Sequence, residues 1–88
     1  MKIEYRKKFL KELAKIPSQI RSNIEFYVFE VIPNLNSIND TDKIEKLKGY
    51  KSCFKIRFGE YRVGLKFENE VIILERVLHR KDIYKYFP

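Results

Sequence analysis

The stretch SCFKIRFGEYRVGLKF, residues 52–67, decides the fold. Two runs within it, 52–58 and 61–67, alternate apolar and polar side chains with the period of two that a half-buried strand requires. Gly59-Glu60 separates them, and a two-residue hairpin loop takes a primed turn that accepts Gly at its first position. That turn sets the register: Phe58 faces Tyr61, Arg57 faces Arg62, Ile56 faces Val63, Lys55 faces Gly64 and Phe54 faces Leu65. Side chains alternate across a sheet, so Phe54, Ile56, Phe58, Tyr61, Val63, Leu65 and Phe67 share one apolar face. The other face collects Lys55, Arg57, Arg62 and Lys66, with Gly64 leaving a gap beside Lys55.

Outward from this hairpin, residues 71–78 (VIILERVL) are apolar on both faces over their first half, which suits a central strand. Residues 2–6 (KIEYR) alternate as a short strand does. Phe9, Leu10, Leu13 and Ile16 then recur at helical spacing, and Pro17 opens a second helix. Its stripe is Ile20, Ile24, Tyr27, Val28 and Val31, ended by Pro33. Residues 33–42 (PNLNSINDTD) read as a loop, and Ile44 with Leu47 predicts a turn of helix before Gly49. Near the C-terminal end Ile83 and Phe87, four apart, pin a short helix. The expected fold is α+β: one domain over residues 1–88, with a small, mostly antiparallel four-stranded sheet covered by an N-terminal helical hairpin and a short C-terminal helix.

The chain has 88 residues, 44% of them apolar and 15% aromatic, which is enough to close one small core and too much for a disordered chain. No apolar run approaches the ~20 residues that span a bilayer, and the N-terminal residues lack a secretory apolar region. One Cys makes no internal disulfide, and one Cys with one His makes no four-ligand zinc site, so no metal or other cofactor is expected and a reducing cytoplasm fits. The net charge is +7, concentrated in the second half. Residues 46–66 carry seven basic side chains (Lys46, Lys48, Lys51, Lys55, Arg57, Arg62, Lys66) against Glu60 alone. Such a surplus favours a polyanionic partner, although a solvated face accounts for charge taken by itself.

Like charges directly across a sheet are destabilising. Arg57 opposite Arg62 is therefore a local cost that an anion held between them relieves, whereas two side chains splayed into water relieve it without one. The end of the third run adds His79 and Arg80, then Tyr84, one helical turn after Arg80. An Arg, a His and a Tyr at a strand-to-helix junction supply phosphate contact, proton transfer and base stacking, respectively. Taken singly, His79 is also an ordinary surface residue and Tyr84 an ordinary packing partner of Ile83 and Phe87.

Over LKGYKSCFKIRFGEYRVGLKF and LHRKDIYKYF the chain resembles the RelE/ParE superfamily of type II toxin–antitoxin toxins, and the likeness extends over nearly its whole length. The resemblance implies a small α+β toxin held inactive by a cognate antitoxin. In its RelE-like branch it implies an mRNA interferase that acts at the ribosome without a metal. Lys55, Arg57 and Arg62 on the strands and Arg80 and Tyr84 near the C-terminal end would then form the catalytic site. Two departures bear on the roles: Arg57 stands where some RNA-cutting relatives have Lys, and His79 precedes Arg80, so Lys55 and His79 compete as general base. Lys48, Lys51, Lys66 and Lys81 are the expected further phosphate contacts. The ParE-like branch implies instead a DNA gyrase inhibitor without catalysis, and an inert RNA-binding domain is a third reading.

Overall fold

The computed structural model describes the whole chain, Met1–Pro88. In chain order its elements are β1 (Lys2–Tyr5), α1 (Lys7–Leu13), α2 (Ser18–Phe26), β2 (Glu45–Lys46), β3 (Cys53–Phe58), β4 (Tyr61–Glu68), β5 (Val71–His79) and α3 (Ile83–Tyr86). One mixed sheet runs in the order β1-β5-β4-β3-β2. The β3–β4 hairpin has the register read from the sequence, from Phe58 opposite Tyr61 to Phe54 opposite Leu65. Gly59 takes φ +59°, as the first position of a primed turn demands. β5 lies between β1 and β4, the central place that its doubly apolar first half predicts.

The sheet has five strands rather than four. The turn of helix expected around Ile44 and Leu47 is the short strand β2, with Glu45 opposite Lys55 and Lys46 opposite Phe54. A spacing of three serves one face of a helix, but here the two residues serve opposite faces of the sheet. Ile44 enters the main core and Leu47 a second, smaller cluster. β1 pairs parallel with β5 and is the one departure from antiparallel order.

The helical hairpin lies on the face predicted for it. Phe9, Leu13, Ile16, Ile24, Val28 and Ile32 close over Ile56, Phe58, Val63, Leu65, Ile72, Leu74 and Val77. Each large apolar side chain buried in this way contributes roughly 1.5–3 kcal/mol. Pro33 does not stop the second helix outright. Winding continues from α2 through a π turn over Tyr27–Val31 and a 3-10 turn over Ile32–Asn34, which lets the chain pass a residue that has no N–H to give.

Tyr5 ties β1 to that irregular turn by donating its hydroxyl to the Val28 carbonyl at 2.9 Å. Burial, with Glu30 nearby, raises its pKa above the ordinary 10.0. A phenol whose folded pKa is raised gives stability that is complete below its unfolded pKa and is lost as pH rises through the folded one. The stability advantage of the parent chain over Tyr5→Phe is therefore expected to hold at neutral pH, at about 1 kcal/mol for the lost hydrogen bond. It should shrink above about pH 10. Urea denaturation of both chains across that range checks this, and a gap independent of pH would contradict it.

The opposite face of the sheet has a cover of its own. Leu47, Cys53, Ile83 and Phe87 form the second buried cluster, with Leu78 against it, so α3 lies across the face that carries the cations. The gap expected at Gly64 is filled by the Phe87 ring, which stands 2.5–2.8 Å from where a Cβ would be.

Candidate active site

Alternation along β3 and β4 sends Lys55, Arg57, Arg62 and Lys66 to the face that α3 partly covers. α3 is only four residues long, and Ile83 and Phe87, one turn apart, hold it down. Tyr84 follows Ile83 around the helix and is therefore left about half exposed, at 54%. Its hydroxyl accepts from Lys55 Nζ at 3.4 Å, and the same Nζ lies 5.9 Å from the ring centroid. A lysine on the first strand of the sequence-predicted hairpin and a tyrosine 29 residues later thus meet.

A second contact steadies α3 from its other side. Tyr86 lies 5.2 Å from the Arg76 guanidinium carbon, a cation–π distance. Arg76 Nε donates to both Glu12 carboxylate oxygens, at 3.0 and 3.1 Å, and the Val77 N–H also donates to Glu12. Those hydrogen bonds to Glu12 raise the Arg76 pKa further and keep it charged. Arg76 and Tyr86 have no counterpart in the sequence-based site. Their pairing depends on a β-bulge between Gly64 and Leu65 in the β4–β5 ladder, which no local pattern announces.

The arginines are gathered but not idle. Arg57 and Arg62 are directly opposite each other, as the register predicts. Contrary to the expectation from charge, no anion between them is needed to relieve the repulsion. Arg57 Nε reaches Glu45 at 3.3 Å, while Arg62 Nη1 donates to the carbonyls of Gly59 and Tyr61 at 2.7 and 2.9 Å. Arg80 stands at the tip of the same hairpin, with Nε 2.6 Å from Glu60 and its N–H on the Glu60 carbonyl at 2.7 Å.

His79 is placed differently from the expectation. It pairs with Tyr61, whose side chain belongs to the helix-covered face, and their rings stand 5.6 Å apart edge to face. Its Nδ1 accepts from the Lys81 N–H at 3.1 Å and its Nε2 lies 3.9 Å from Glu60. The imidazole is thus across the sheet from Lys55 and Arg62. Of the expected phosphate contacts, Lys48 and Lys51 lie together in the β2–β3 loop beside exposed Tyr50. Lys66 lies with Arg6 and Lys8 farther along the sheet, and Lys81 is exposed beyond His79. Glu45 and Glu60 are contacts that no sequence pattern marks, Glu45 because a two-residue strand carries no period.

The comparisons agree with this architecture. A family model described as ParE toxin of type II toxin-antitoxin system, parDE, matches residues 3–84. The toxin RelE3 of Methanocaldococcus jannaschii is 45% identical over 89 aligned positions that take in the whole of both chains. In the crystal structure of the RelB-RelE antitoxin-toxin complex from Methanococcus jannaschii, the matching chain is 42% identical with a TM-score of 0.78, and the match covers 97% of this chain and 99% of that one. A chain of the intact E. coli RelBE complex is 25% identical with a TM-score of 0.64, covering 86% and 92%. No helix here is long and apolar enough to cross a membrane. By family match, by sequence identity along its whole length and by fold, the chain belongs to the RelE/ParE superfamily as a toxin of a type II toxin–antitoxin system.

Proposed function

We propose that this toxin is a ribosome-dependent, metal-independent mRNA endoribonuclease that acts in the cytoplasm. The reading rests on the contact between Lys55 and Tyr84 on a sheet face that also carries Arg57 and Arg62. RNA brings its own nucleophile. Its 2′-OH attacks the adjacent phosphorus, a 2′,3′-cyclic phosphate forms, and the bond to the 5′ oxygen of the next nucleotide breaks. Lys55 takes the 2′-OH proton as the neutral amine, the form that the neighbouring arginines favour, since it lies on their face of the sheet and His79 does not. Arg57 and Arg62 offset the charge that builds on the phosphate oxygens. Arg80 stabilises the leaving oxygen, which takes a proton from water, and Tyr84 stacks on a base. Lys48, Lys51, Lys66 and Lys81 extend the phosphate track. An antitoxin encoded with the toxin, as in the RelB complexes of its relatives, silences it by covering this basic face with an acidic or amphipathic segment.

Mapping the 5′ ends of ribosome-bound messages after induced expression tests the reading. New 5′-hydroxyl ends inside translated codons are expected, and a message with a 2′-deoxy nucleotide at the cut position should survive. The family model is named for ParE, which favours gyrase inhibition as the second reading. Intact messages together with DNA-damage signalling would replace the first reading with that one.

A further inference from the structure

Two carboxylates that the chemistry above does not use pair with its arginines, and Glu60 also stands 3.9 Å from His79 Nε2. Glu45 on β2 meets Arg57 at 3.3 Å, and Glu60 in the hairpin turn meets Arg80 at 2.6 Å. Nε is the nearest guanidinium nitrogen in both pairs, and neither outer fork donates a hydrogen bond to its acid. All four side chains are about half exposed, between 42% and 58%. Exposed ion pairs of this kind hold by a factor of a few at most. The Arg76–Glu12 pair is the contrast: its side chains are 16% exposed, its contacts are bidentate, and a backbone N–H adds to them. One pair is built to stay, the other two to exchange.

We propose that Glu45 and Glu60 are built-in counterions of the RNA site, each competing with RNA phosphate for its arginine and yielding it when the strand binds. This rests on the RNA-cleavage reading and adds to it a source of selectivity. A phosphate accepts two parallel hydrogen bonds from a guanidinium, which a one-point carboxylate contact does not match. An isolated small anion gains that bond at one arginine and still meets the repulsion of the adjacent carboxylate. A strand that engages Arg57 and Arg80 together makes its second contact at high effective concentration and displaces both acids. The carboxylates thereby tune the site toward an extended polyanion. They also explain why Glu60 is the one acidic residue among the seven cations of 46–66.

The test is the anisotropy of a short 2′-O-methyl RNA, which binds without being cut, with inorganic phosphate as competitor. Glu45→Gln and Glu60→Gln should each tighten RNA binding about threefold to fivefold at low salt, and the double variant about tenfold or more. The double variant should also become sensitive to inorganic phosphate at concentrations the parent ignores. Glu68→Gln, an exposed acid at the far end of β4, makes the same change in net charge and should shift binding less than twofold. Gln variants that bind no more tightly than Glu68→Gln, or more weakly, overturn the proposal while RNA binding by the parent stands. Absence of RNA binding by every chain, the parent included, overturns the counterion role, while the cleavage reading stands or falls on the 5′ ends of ribosome-bound messages.

Discussion

Gly64→Val is expected to lower stability by about 2–3 kcal/mol and to disable the candidate site at a distance, although Gly64 bears no functional group. A Cβ at this position would lie 2.5, 2.7 and 2.8 Å from three ring carbons of Phe87. Gly64 is in the middle of the sheet, paired with Lys55 on one side and Arg76 on the other, so the strand has no room to retreat. Phe87 must move instead. A helix of four residues does not stand alone, and Ile83 and Phe87 are what fasten α3 to the sheet. Once the ring leaves, Tyr84 loses its fixed distance from Lys55.

The main core contains neither Phe87 nor Ile83, so the variant still folds, and loss of function will not reflect general collapse. Urea denaturation and ligand-free tyrosine fluorescence read the two effects separately. A double variant gives the sharper check. Phe87→Ala alone removes a nearly fully buried ring and should cost about 3 kcal/mol. Adding Gly64→Ala to it should cost almost nothing more, because the atoms it would strike are gone. Additive losses would mean that Gly64 serves the strand and not the ring.

The same glycine marks how far the sequence could be read. Alternation through residues 52–67 and a turn of fixed length were enough for the register, because a slip of one residue would turn Phe54, Ile56 and Phe58 into water. β5 was legible as a central strand for a similar reason. β2 was not, since two residues carry no period and the 44/47 spacing fits a helix equally well. Gly64 read as an empty place because nothing local ties it to a residue 23 positions later. Of the site, the grouping of Lys55, Arg57 and Arg62 follows from register alone. The meeting of Lys55 with Tyr84 needed tertiary packing, and the position of His79 needed the β4–β5 pairing. Charge reading failed in one respect: it counted repulsion between Arg57 and Arg62 without Glu45, whose strand had not been recognised.

Lys55→Met should reduce cleavage of ribosome-bound message by about a hundredfold or more, the usual loss when a positioned proton acceptor is removed. Met keeps most of the aliphatic stem, so stability should stay within about 0.5 kcal/mol of the parent. Arg62→Ala and Tyr84→Ala should each cost roughly tenfold or more through lost transition-state contacts. Tyr84→Phe keeps the ring and should be spared the stacking share of that loss. His79→Ala is the discriminating control. If His79 were the base, its removal would cost as much as that of Lys55. Its ring instead faces Tyr61 on the far side of the sheet, so the loss should remain within severalfold. Rates from single-turnover cleavage on stalled ribosomes separate these cases. Full activity in Lys55→Met, or a collapse confined to His79→Ala, would move the proton transfer to the other face of the sheet and dissolve the site as described.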